Sequence, residues 1–194
     1  VYGPPGTQHV VDSLMEMLGL DRHYRTEHHQ DLRHGPGLQV QVTEVDPGDS
    51  FTINEVLISV HKTDHRPVAP TVGYRIEYHG SSVAMAGDTV PCSELDVMCA
   101  NADIYVQSVI RPELIAQIAQ MFPALGGRFT DVLDYHSSVE QAAQTATRTG
   151  VKKLVMTHYV PAMQPGAEQE WIDIAAAHFS GEIIVGADLT AVDC

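Results

Sequence analysis

Ser82-Val83-Ala84-Met85-Ala86-Gly87-Asp88-Thr89 reads as an apolar strand that stops on a glycine turn carrying a carboxylate. Just before it, Tyr74-Arg75-Ile76-Glu77-Tyr78 alternates, and His79-Gly80-Ser81 joins the two runs, which predicts a β-hairpin delivering Asp88 at its end. Working outward, two histidines hold comparable places. Asp64-His65-Arg66-Pro67-Val68 lies upstream and Met156-Thr157-His158 downstream, each closing a β-like run. One carboxylate and two imidazoles at strand ends form a donor set suited to zinc, which takes neutral imidazole nitrogens and carboxylate oxygens. An isolated Gly-Asp-Thr is more often a plain turn; its companions reverse that preference.

The rest of the chain supplies a layered frame. Thr7 is expected to cap a helix over 8–18, with Val10, Val11, Leu14, Met15 and Leu18 on its apolar face. Residues 20–37 are polar and rich in histidine (His23, His28, His29, His34), and read as a solvated loop or lid with room for a short helix. Leu38 to Val42 alternates as a strand, Pro47-Gly48-Asp49 turns, and 51–60 holds two short strands around Asn54-Glu55. Helices are expected over Ser93 to Asn101, Pro112 to Met121, from Ser137 or Ser138 to Arg148, and over 167–179 with Trp171 in the core. Strands are expected over Ile104 to Ile110, 153–157, 182–186 and near 189–193. Hairpins followed by alternating strands and helices, without repeats, predict one α/β domain over 1–194.

Composition narrows the function. The formal net charge of −14, from 11 Lys+Arg against 25 Asp+Glu, opposes long-range attraction to phosphate backbones, so nucleic acid is a disfavoured partner. Three cysteines (Cys92, Cys99, Cys194) form no framework, and a reducing, cytoplasmic setting is expected. No apolar run approaches the roughly 20 residues of a membrane span, so no membrane partner is expected.

In order along the chain, His65 with Pro67-Val68, Gly73-Tyr74-Arg75, Gly87-Asp88-Thr89, Tyr135-His136-Ser137-Ser138 and Thr157-His158 resemble the metallo-β-lactamase superfamily. More narrowly they resemble its ribonuclease Z and arylsulfatase-like branch, and the opening Tyr2-Gly3-Pro4-Pro5-Gly6 resembles the segment after that family's first metal motif. The resemblance implies an αββα sandwich with one or two Zn2+ ions, Mn2+ or Fe2+ being alternatives. It assigns His65 to one metal, His158 to a second, and Asp88 as the bridging, catalytic carboxylate. His136 would position substrate and protonate the leaving group.

Three departures qualify this. The family's HxHxDH motif occurs nowhere in the chain. The expectation is that the chain is the larger, C-terminal part of the sandwich, with the early strands and remaining ligands preceding Val1. Gln107-Ser108 stands where relatives commonly carry His-Glu, so an acid that would orient His136 is replaced. Only a tight hairpin lies between Gly73 and Gly87, where many ribonuclease Z proteins carry a tRNA-gripping arm. The expected activity is therefore hydrolysis of a small ester (sulfate, phosphodiester or carboxylic) by metal-bound hydroxide, in a homodimer. The alternatives are a ribonuclease Z-like tRNA 3′-end endonuclease and a non-catalytic binding protein. Asp188, after Gly186-Ala187, is expected at the sandwich edge or beside His158, or else in a plain turn; Arg75 and Glu77 as solvent-facing partners; His61 as the competitor of His65.

Overall fold

Pro47-Gly48-Asp49 turns the chain, with Gly48 at φ +99°, into the first hairpin of the larger of two compact units, Pro47–Cys194. The structure is a computed structural model and describes residues 1–29, 31 and 40–194. Hairpins come first: β3 (Ser50–Ile53), β4 (Val56–Lys62), β5 (Val72–Tyr78) and β6 (Ser81–Gly87) pair antiparallel in sequence order. The β5–β6 link turns on His79 and Gly80 at φ +48° and +87°, the left-handed pair that a tight hairpin requires.

Helical crossovers then make the sheet parallel, since parallel neighbours need a long connection. Helix α3 (Ser93–Cys99) leads to β7 (Ile104–Ile110) beside β6. Helices α4 (Pro112–Met121) and α5 (Gly126–Asp131) precede the two-residue β8 (Ser137–Ser138), which pairs with β7. Helix α6 (Val139–Thr149) leads to β9 (Lys153–Val160), and α7 (Glu168–Ala176) to β10 (Glu182–Val185). The resulting eight-stranded sheet runs β10-β9-β7-β6-β5-β4-β3 with β8 on β7.

Alternate residues of the central strands, Ala84, Ala86, Tyr105, Val109, Leu154 and Met156, face Leu95 and Met98 of α3, Ala142, Ala143 and Ala146 of α6, and Trp171 and Ala175 of α7. Small residues on α6 let it lie close to the sheet. Trp171 is fully buried, with the Arg111 guanidinium 5.5 Å above its ring.

The smaller unit, Val1–Asp46, holds β1 (Tyr2–Gly3) pairing parallel with β2 (Thr43–Glu44), and helices α1 (Thr7–Met17) and α2 (Gly19–His28). It corrects several expectations. Thr7 does not cap α1, because its hydroxyl donates to the Pro4 carbonyl; Glu44 accepts from the Gly6 and Gln8 amides at 2.8 and 3.1 Å instead. The expected apolar face of α1 is not buried, and Val10 and Leu14 are 65% and 46% exposed. Residues 19–28 form a helix within the segment read as a loop or lid with a short helix; it carries the Asp21–Arg25 pair and buries no residue. The strand expected over 38–42 is replaced by Thr43–Glu44; residues 38 and 39, like His34, lie outside the described residues.

Two further corrections fall in the larger unit. No strand forms near 189–193; Thr190 instead closes a turn onto Ala187. Arg75 is not simply solvent-facing: besides Glu77, it donates to the Met98 and Ala100 carbonyls at 2.9 Å each, satisfying the end of α3.

Asp103 ties three strands. It accepts from the Ser82 amide at 2.7 Å and from Lys152 at 2.5 Å, and the Lys152 ammonium with that amide holds its carboxyl below the usual carboxylate range. A folded-state pKa below the unfolded value of about 3.9 stabilises above that pH and is lost as pH falls through the folded value. The melting temperature of Asp103→Asn is expected to lie below the parent's at pH 5, with the gap closing as pH drops toward 2. A gap independent of pH over that range would refute the assignment.

Candidate metal centre

Two irregularities in the sheet place the site. Between Met85 and Gly87 the register of β6 on β7 shifts, and Gly87 takes φ +67°, so the strand turns out and lifts Asp88 above its end. Between Ser108 and Ile110 the register of β7 on β9 shifts as well, and His158 takes φ +46° at that point. The bulge in β9 swings His158 toward Asp88, its Nδ1 lying 3.6 Å from Oδ1. A positive φ at a non-glycine residue is a strained conformation of the kind that clusters at functional sites.

His65 follows β4, where a Val68 amide bond to its carbonyl closes the loop. His136 immediately precedes β8, and Ser138 there forms a capping box with Gln141 at the start of α6. Their Nε2 atoms lie 4.0 and 3.7 Å from Asp88 Oδ2. The two rings meet edge to face at 5.0 Å, and His136 stacks parallel to His158 at 6.2 Å.

Thr89 ties the loops together. It is fully buried; its hydroxyl accepts from the Asp64 amide at 2.9 Å and donates to the Val90 carbonyl, while its own carbonyl accepts from Ser137 Oγ at 2.7 Å. The loops bearing His65, Asp88 and His136 are thereby joined through one residue.

The imidazoles are oriented by the backbone. His65 Nδ1 lies 2.7 Å from the Tyr135 carbonyl and His136 Nδ1 2.9 Å from the Val132 carbonyl. A carbonyl only accepts, so each Nδ1 carries a hydrogen, which leaves Nε2 as the ligand nitrogen of the neutral ring on the side of Asp88. One ligand atom from each of His65, Asp88 and His136 lies within 4.8 Å of the others, close enough to share an ion. His136 is 8% exposed at its side chain, His65 16%, Asp88 32% and His158 58%, so the site is dry on the His136 side and open at His158.

The structure thus brings His65, Asp88, His136 and His158 together and leaves the other candidates apart. His61 sits on β4 beside Ser59 Oγ at 3.1 Å, and burial with the nearby Arg75 charge lowers its pKa. Asp188 lies in an exposed turn with no described contact to His158. Gln107 points to the core, taking the Tyr105 hydroxyl on Oε1 and donating to the Gly87 and Ser108 carbonyls. The orientation expected of an acid at 107–108 falls to the Val132 carbonyl. Ser108 Oγ donates to Asp88 Oδ1 at 2.5 Å, a contact for which its sequence neighbourhood carries no signal.

The sequence and the fold have counterparts among known proteins. Residues 1–159 match the β-lactamase superfamily domain. The chain is 49% identical over 193 residues to ribonuclease Z of Mycobacterium tuberculosis (strain ATCC 25618 / H37Rv), covering all of this chain and 68% of that one. Among solved structures it superposes on Zn2+-bound PqqB from Methylobacterium extorquens with a TM-score of 0.65 and 13% identity, covering 100% and 64% of the two chains. It superposes on human tRNase Z, short form, with a TM-score of 0.56 and 18% identity, covering 99% and 65%. The chain belongs to the β-lactamase superfamily and, within it, to the ribonuclease Z branch of metal-dependent hydrolases.

Proposed function

We propose that this protein is a metal-dependent endonuclease that cleaves a phosphodiester near the 3′ end of precursor tRNA. The observation that carries this reading is the 49% identity to a ribonuclease Z along the whole chain. It takes the place of the small-ester reading, which rested on bulk charge and on the tight hairpin between Gly73 and Gly87. Net charge governs how fast an anionic substrate arrives, not what the site does once it is bound.

The donor set fits zinc: imidazole nitrogens, those of His65 and His136 oriented by backbone carbonyls, and a carboxylate whose oxygens face different histidines. His65, Asp88 and His158 would hold the metal, and His136, whose Nε2 lies as near to Asp88 as the other imidazoles, would be left for proton transfer. When bound, such ions stabilise developing negative charge and lower the pKa of water toward neutrality. The chain's own contribution is orientation and proton transfer. Deeply set His136, with Nδ1 on the Val132 carbonyl, takes up a proton at Nε2 beside the Asp88 carboxylate and delivers it to the leaving oxygen.

Next to His65 a cavity of about 390 Å³ is lined by Lys62, Asp64, Arg66 and Pro70; Arg66 is paired with Asp64 at 2.7 Å, so the cavity carries the charge of one cation, Lys62. The β5–β6 turn is only two residues, so RNA contacts lie outside it.

The test is incubation of the complete protein with precursor tRNA over a salt series. Cleavage on the 3′ side, lost with a chelator, restored by Zn2+ and falling steeply with salt, is expected. A zinc-loaded protein that leaves precursor tRNA intact yet hydrolyses aryl sulfate or phosphate esters would return the small-ester reading. Zinc well under one ion per protomer, with melting indifferent to chelator, would leave a binding protein.

A further inference from the structure

We propose that Ser108 is the residue that sets the plane of the Asp88 carboxylate, so that its two oxygens serve opposite sides of the centre; this rests on the metal-site reading above. A carboxylate on a turn is free to rotate about its last bond, and a shared ligand has to present one oxygen to each side. Here that rotation is fixed from the neighbouring strand. Ser108 is 2% exposed on β7, in register with Thr157 of β9, and its hydroxyl donates to Oδ1 at 2.5 Å. With Oδ1 held there, facing His158, Oδ2 is turned toward His65 and His136.

Ser108 is itself held. Gln107 Nε2 donates to the Ser108 carbonyl at 2.8 Å and to the Gly87 carbonyl at 2.9 Å, while Gln107 Oε1 accepts from the Tyr105 hydroxyl. One buried amide therefore clamps both the residue that aims the carboxylate and the turn that bears it. Adjacent residues of β7 divide the work: Gln107 fixes the backbone on each side, and Ser108 fixes the carboxylate. Charge-assisted O–H···O− contacts of this length are among the stronger hydrogen bonds. Ser108 acts only through Asp88, as a positioning residue.

The experiment measures zinc affinity of the complete protein by chelator competition, and the visible absorption of its Co2+-substituted form, for Ser108→Ala and Ser108→Thr. Ser108→Ala is expected to bind zinc about 10–100-fold more weakly, the range for losing an outer-shell partner. Its Co2+ spectrum should change while the melting temperature of the metal-free protein stays close to the parent's. Ser108→Thr, which keeps the hydroxyl, should recover parental affinity and spectrum. Parental zinc affinity and an unchanged Co2+ spectrum in Ser108→Ala would overturn the proposal. If the alanine variant does not fold, Ser108→Cys is measured in its place, since it keeps the volume and offers only a weak S–H donor; parental affinity there would equally overturn it. A parent protein that binds no zinc would instead sink the metal-site reading.

Discussion

Replacing Asp88 by alanine is expected to remove bound zinc and reduce RNA cleavage on the order of a thousandfold or more, beyond the ten- to hundredfold that losing an outer partner costs. The reason is position. Asp88 is the one carboxylate among the four converging side chains, and its oxygens face all three histidines. The protein should still fold, because the loops are joined through Thr89 and Ser137 and not through the carboxylate. Asp88→Asn keeps the shape and removes the charge, so it should lose metal nearly as completely. Metal content, cleavage rate and metal-free melting measured together decide the matter. Cleavage near the parental rate in either variant would refute the assignment of Asp88.

The second large effect is on stability. Gln107→Glu is expected to destabilise by about 3 kcal/mol or more, because it turns a buried amide donor into a carboxylate facing two carbonyls. The Gly87 and Ser108 carbonyls lose their donor, and no cation is among the described partners of Gln107. For a chain of this size that corresponds to a melting temperature lower by roughly 6–12 °C. Burial raises the introduced carboxyl above its unfolded pKa of about 4.3, so the deficit grows as pH rises above that value. A metal-free variant that melts within ~2 °C of the parent at pH 7 would show that the amide is not needed. The sequence already marks Gln107-Ser108 as a departure from the His-Glu of relatives; the structure gives the reason that an amide suits position 107.

Much of the larger unit was legible because its signals are local. The alternation of Tyr74 to Tyr78 and the His79-Gly80 turn identify the hairpin, and Ser138 with Gln141 and Gly150 bound α6 by cap chemistry alone. Asp88 and His65 were legible because each follows a strand, β6 and β4, where a ligand can be held rigidly and still reach solvent; His158 was read at the end of a strand over 153–157 but stands at a bulge inside β9, which runs on to Val160. What escaped was either non-local or without a side-chain signature. Glu44 caps α1 from 36 residues away, and Arg75 closes α3 from 23 and 25 residues away. Helix α2 buries no face, so it leaves no period to read. The Tyr135 and Val132 carbonyls that orient His65 and His136 are groups every residue carries, and no sequence pattern can single them out.

That last feature bears on how the centre withstands genetic drift. An orienting carboxylate is lost in one codon change, and the imidazole it served loses its tautomer with it. Here the acceptors belong to the main chain, so side-chain replacement at 132 or 135 leaves the oxygen in place as long as the short turn Val132–Asp134 keeps its path. Selection on these two partners therefore acts on the course of the backbone and not on residue identity. The stretch before His136 is free to diverge in sequence while the imidazoles it orients stay aimed.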